Sequence, residues 1–282
     1  MVSGGNASDE RSGSRVKALV VRVAYAIPLF ANFALACAAV LFYSESPSRF
    51  DPARAWEGPS WSHWLGTSEA GVDLLAILSH GELSATILAV CVSLGAFAIG
   101  VPLGASAAYR GGAYERFVSR GCDVIQAIPS FLFAVTVLAA VRVREPWLLG
   151  VVFLVTAWAP FARVALAQTR VLRSVAFVDA ARSLGATRAR ILARHIAPHL
   201  LPIAAVQLGS SAAAIVVSES ALAFLGFGPR SGVSMGAALD QGVAAMLRAP
   251  HVLIFSAIAV AVTSMTLLFG AKAFAPEKDD GR

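Results

Sequence analysis

Charge is what this 282-residue chain has least of: 14% of its residues are Asp, Glu, Lys or Arg, where a soluble globular domain carries roughly 25%. That excludes an ordinary soluble enzyme. Cysteine is also scarce, with Cys37, Cys91 and Cys122 only. Three widely spaced cysteines without a C-x-x-C pair support neither a disulfide framework nor a zinc site, and they read as small buried hydrophobes. No G-x-x-x-x-G-K-[ST] stretch occurs, so the chain has no phosphate cradle of that kind. No histidine falls inside an apolar block, which leaves Ser210 and Ser211 without the base that an intramembrane serine protease needs.

What is present is hydrophobicity, 57% of the residues with a mean hydropathy of +0.70. It is gathered into blocks at 23–43, 83–108, 124–141, 147–162, 200–218 and 252–271. A helix of about twenty residues crosses a hydrocarbon core of roughly 30 Å, so the pattern predicts an all-α polytopic membrane protein with six transmembrane helices. The first block follows a basic stretch, but its 21 residues exceed a signal-peptide core, and it is read as a permanent span.

The net charge of +6 and pI near 9.7 follow from topology rather than from a nucleic-acid partner. With the N-terminus inside, only Arg49, Arg54, Arg142, Arg144, Arg230 and Arg248 lie outside, and the other seventeen of 23 Lys and Arg lie inside. That excess on the retained side predicts an N-in, C-in arrangement. The expected organisation is a disordered cytoplasmic arm at 1–17, a first span at 18–43, an ordered extracytoplasmic segment at 44–82, a five-helix core at 83–272 and a tail at 273–282.

The segment 173–199, between the fourth and fifth blocks, is too long for a mere connector. Phe177, Ala181 and Leu184 recur at helical spacing and predict an apolar stripe, and Gly185 stands where a C′ glycine stops a helix. Thr187 is placed to cap a second helix through Ile191, Leu192 and Ile196, before Pro198 and Pro202 redirect the chain into the fifth span. The expectation is a helix, turn, helix hairpin at the inner membrane face, which either lies on anionic headgroups or docks a cytoplasmic partner.

Asp179, Ala180 and Ala181, then Gly185, then His195, Ile196, Ala197 and Pro198, with Leu201 and Pro202, closely resemble the EAA loop of bacterial ABC-importer permeases. The resemblance narrows to the C-type permease of dipeptide and oligopeptide importers. His63 to Thr67 with Gly71 and Asp73 looks like that branch's outer-loop motif, Asp123 with Ile128 to Phe131 like its third-span motif, and Glu219 with Phe224 to Gly228 like the end of its fifth span. Gly111 and Gly112 fit its inner turn. Ser68, Val72 and the sequence around Phe269 to Lys272 depart from the branch pattern, which bears on solute class more than on family.

The resemblance implies a type I importer permease fold in the bacterial cytoplasmic membrane. It also implies a loop coupling to an ATPase through Asp179, Ala180, Ala181, Leu184, Gly185, Ile196 and Pro198. The implied partners are a homologous permease, one or two ATPase subunits carrying ATP and Mg, and an extracytoplasmic substrate-binding protein, with no cofactor, metal or catalytic residue on this chain. The implied solutes are di- or oligopeptides, or nickel or another small solute of the same branch.

Glu219 near the end of a span is costly, about 2.5 to 3.5 kcal/mol for a charge at mid-membrane. It is read either as a structural carboxylate bonded to the following Gly226 and Gly228 turn or as a gate. Gln126, Pro129, Ser130 and Phe131 either line a pathway or form a helix interface. His195 and His199 have no third ligand for a metal. The rival of a different class is an ion-coupled carrier, in which Pro102 and Gly104 break the second span and Glu219 is the coupling acid.

Overall fold

The computed structural model describes residues 23, 25–41, 50–141, 145–228 and 233–273. The expected disordered arm at 1–17 and nearly all of the tail lie outside the described residues. The described chain is built from helices, with one isolated antiparallel bridge between Thr67 and Asp73. The helices are α1 (Tyr25–Leu41), α2 (Leu74–Arg110), α3 (Gly112–Ala127), α4 (Ser130–Val141), α5 (Pro146–Leu172), α6 (Ala176–Ser183), α7 (Arg188–Ile191), α8 (Ala197–Leu222), α9 (Met235–Ala244) and α10 (Pro250–Lys272). Four helical segments are long and apolar enough to cross a membrane, five if the bent pair of α3 and α4 counts as one span, and α1 is a shorter apolar helix.

α2 begins nine residues before the expected span because residues 50–73 fold into a cap that ends on its N-terminus. The Asp73 carboxylate accepts from the amides of Leu75 (2.8 Å) and Ala76 (3.2 Å), satisfying donors that a helix start leaves open. Its other oxygen meets His63 Nδ1 at 2.7 Å, and Arg54 donates to His63 Nε2 at 3.0 Å. A guanidinium only donates, so this geometry assigns the Nδ1–H imidazole, bonded at both nitrogens and buried. Thr67, fully buried, ties the two arms of the cap together through the Glu57 amide and the Arg54 carbonyl.

Pro102 does not break α2, which runs unbroken through it for 37 residues. Gly100 and Gly104, one turn apart, instead bring α2 against α5. A Cβ on Gly104 would stand 2.1 Å from the Ala162 carbonyl oxygen, and one on Gly100 2.4 Å from that of Trp158. This is the small-residue spacing by which membrane helices approach closely without a hydrophobic driving force. α2 packs most extensively on α5, and α10 on α8 and α9, around a core that includes Leu74, Phe153, Val216 and Met235. Cys122 is buried as expected, while Cys91 lies on an exposed face of α2.

The third apolar block is two helices rather than one, bent by 73°. Pro129 has no N–H to continue α3 and holds Ile128 in an extended conformation (φ −90°, ψ 120°). Ionic contacts fix the α3 arm to α5: Asp123 pairs with Arg163, and Glu115 takes Arg170 and, at 3.4 Å, Arg173.

From Arg188 to Phe227 the chain is one helix of 40 residues. The expected redirection at Pro198 and Pro202 is absent. A π-type turn at Leu192–Ile196 precedes Pro198, and a wider register there accommodates the donor that proline lacks. A second π-type turn, at Ala223–Phe227, ends the helix where Gly226 enters the left-handed region (φ +82°). α9 follows, capped by Ser234 Oγ at 3.0 Å from the Ala237 amide.

Candidate functional site

The hairpin expected at 173–199 forms as α6, a tight stop, and the first turns of the 40-residue helix, so its second arm is an extension of a span and not a separate surface helix. Val178 and Ala181 are the buried face of α6. They pack with Ile191, Ile196 and Leu200, and with Ala105 of α2 and Ala165 of α5. Burying Val178, Ile191, Ile196 and Leu200 stabilises by about 1.5 to 3 kcal/mol each. The expected stripe is therefore split: Ala181 points inward, Phe177 stacks on His199 at 5.4 Å, and Leu184 is 89% exposed.

The stop is a complete Schellman motif. The Gly185 amide bonds to the Arg182 carbonyl and the Ala186 amide to the Ala181 carbonyl, both at 3.0 Å, with Gly185 at φ +79°. Thr187 Oγ1 then accepts from the Arg190 amide at 3.3 Å. Asp179 is exposed and meets Arg182 at 3.1 Å. Arg182 also hydrogen-bonds Tyr109 at the end of α2, and this bond, ahead of the Asp179 charge, holds its pKa above the ordinary arginine value. Of the residues singled out in the loop, Ala181 and Ile196 hold the hairpin to the bundle, while Asp179, Ala180, Leu184, Gly185 and Pro198 are exposed.

At the other end of the long helix Glu219 is buried, and its bond comes from the neighbouring Ser220 hydroxyl (3.4 Å) rather than from amides of the following turn. Gly226 supplies the left-handed stop. Gly228 is extended and sits where a Cβ would come within 2.9 Å of that of Ala223. Between these ends, α3, α4, α5 and α8 line an open cavity of about 320 Å³. Gln126, Pro129 and Ser130 line it together with Thr156, Pro160, Gln207, Ser210 and Ser218. Phe131, grouped with them in the sequence, instead packs against the core.

The sequence reading missed Glu82, which it placed outside the second span. Glu82 lies more than two turns inside α2 and accepts from the Asn32 side-chain amide of α1. A carboxylate at membrane depth stands only where protein supplies its partners. Replacing Asn32 by Leu leaves that carboxylate short of a donor, at a cost of about 1 to 3 kcal/mol. We expect N32L to lose thermal stability in detergent and E82Q to lose much less, with equal melting of both variants and the parent arguing against the contact.

With this geometry in view, comparison with known proteins defines the class. Residues 100–276 match the family described as binding-protein-dependent transport system inner membrane component, and the chain belongs to that family. It is a transport permease, a multi-pass protein of the bacterial inner membrane. Among curated relatives, it is 33% identical over 243 residues to the glutathione transport system permease protein GsiD of Pectobacterium atrosepticum, covering 82% of this chain and 79% of that one. It is 31% identical over 249 residues to the oligopeptide transport system permease protein OppC of Mycobacterium bovis, covering 86% and 83%. It is also 34% identical over 223 residues to GsiD of Escherichia coli O6:K15:H31, covering 78% and 72%.

Proposed function

We propose that this chain is one of two permease subunits of an ATP-driven importer of di- or oligopeptides. It pairs with a homologous permease, receives solute from an extracytoplasmic binding protein, and is driven by one or two ATPase subunits that hold ATP and Mg. α1, α2, the bent pair, α5, the long helix and α10 are its six spans, with both termini inside. It contributes no catalytic residue; hydrolysis belongs to the ATPases.

The observation that carries this reading is the exposed apolar tip, Leu184 on a rigid Schellman turn, which is continuous with a 40-residue helix. An ATPase groove that closes on such a tip displaces a rod rather than a loop, because side-chain packing and helix stiffness carry the movement. In that cycle, ATP-driven closure swings the helices after the hairpin and opens the pathway outward, and hydrolysis resets it. The names of the relatives support peptide-like solutes.

The test is purification of the tagged chain from its native membrane in mild detergent, followed by identification of what accompanies it and by uptake of labelled peptides with ATP in liposomes. A second permease and a P-loop ATPase are expected. A chain that purifies alone and moves solute under an ion gradient would instead be a secondary carrier, with Glu82 and Glu219 as its buried acids. Within the complex, Asp179→Asn is expected to reduce recovery of the ATPase several-fold, since an exposed pair with Arg182 is worth about 0.2 to 1 kcal/mol locally and leaves the fold intact. Unchanged co-purification would assign Asp179 to that local pair alone.

A further inference from the structure

The cavity between α3, α4, α5 and α8 is lined on one side by a polar stripe of α8. Gln207, Ser210, Ser211 and Ser218 fall at i, i+3, i+4 and i+11, one face of a helix in the middle of its apolar length. Gln126 and Ser130 face them across the cavity. Among the described residues, the side-chain amides of Gln126 and Gln207 have no hydrogen-bond partner. Pro160 of α5 has no N–H to offer the Thr156 carbonyl one turn earlier, and both residues line the same space. Such groups are not left facing hydrocarbon. They need water, a solute or another protein surface.

No lining residue is ionisable. Asp123, one turn from Gln126, is paired with Arg163, and Glu219, next to Ser218, is buried on another side of the helix with Ser220. Amides and hydroxyls both donate and accept, as peptide bonds do. We propose, resting on the permease reading above, that this stripe is a solute-contacting wall of the pathway that engages amide groups and is indifferent to solute charge, with Gln126 and Gln207 as its specificity-determining side chains. Any selection by charge then arises elsewhere in the complex.

Charged thiol reagents test this in membrane vesicles holding the full complex, with Cys37, Cys91 and Cys122 replaced by Ala. Ser210→Cys and Ser218→Cys are treated with a cationic trimethylammonium and an anionic sulfonate methanethiosulfonate, each rate referred to that of a free thiol. Ile258→Cys, on the exposed apolar stripe of α10 that also holds Ile254 and Val262, is the lipid-facing control. The two rates at each stripe position are expected to agree within about threefold and to exceed the control about tenfold, and adding Gln207→Glu to Ser210→Cys is expected to slow the anionic reagent about tenfold relative to the cationic one. Stripe cysteines that stay unreactive with and without ATP would mean that a partner helix covers them. A charge ratio already beyond about tenfold before Gln207→Glu would mean that the opposite wall sets a charge filter. Either result overturns the proposal. Co-purification of an ATPase is scored on the same vesicles: its loss with intact labelling sinks the importer reading and leaves the wall, whereas its presence without labelling sinks the wall alone.

Discussion

Gly185→Val is expected to abolish ATP-dependent uptake while leaving the chain in the membrane. At φ +79° a β-branched side chain meets its own backbone, and the left-handed conformation costs an L-residue about 1 to 2 kcal/mol before branching is counted. Nothing lies within 4 Å of a Cβ at this position, so the penalty is conformational and no tertiary contact is lost. The substitution therefore acts on the two bonds that fix the angle between α6 and the long helix, and the tip carrying Leu184 loses its direction. Gly185→Asn, which tolerates the left-handed region, is the control and should keep most of the activity. Uptake by the valine variant at the parent rate, in a complex that retains its ATPase, would falsify the coupling role of the hairpin.

Gly104→Val is expected to act earlier, on assembly of the bundle itself. Its Cβ would sit 2.1 Å from a backbone carbonyl oxygen of α5, and no flexible side chain is available to give way. The helices would have to separate by about 1 Å along an interface packed at interior density, and overpacking of this kind typically costs 1 to 3 kcal/mol or more. The chain should accumulate poorly and aggregate in detergent. Gly95→Ala, where a Cβ meets only the two Leu154 methyls, at 3.2 and 3.8 Å, should be tolerated. If the Gly104→Val chain is recovered at parental yield and melts at the parental temperature, the close crossing of α2 and α5 is wrong.

These two glycines also mark where sequence reasoning works and where it stops. Gly185 was legible because its signal is local: an apolar period ends, a glycine follows, and a capping threonine comes two residues later. Only the rival carrier reading takes Gly104 with Pro102 as a break, because proline's effect on a helix is a local rule while the approach of α5, some sixty residues away, is tertiary. Pro129 obeys the same local rule and does bend the chain, so residue type alone does not separate the two prolines. Glu82 shows the opposite failure. A window that ends a span at the first charge cannot see Asn32, fifty residues earlier, whose side-chain amide lets the carboxylate lie inside. The stripe expected on α6 holds at Ala181, which is buried, but Val178 rather than Phe177 or Leu184 completes the buried face.

The uninterrupted run from Arg188 to Phe227 has an implication for which changes in length the chain tolerates. Each residue of an α-helix advances the phase by about 100°. One residue inserted between Ile196 and Gln207 would turn Gln207, Ser210 and Ser218 away from the cavity and swing Glu219 out of its buried position, although no side chain had been substituted. Over this stretch the spacing between residues is under as much constraint as their identity, whereas a connection outside the helices can lengthen without changing any helix's register.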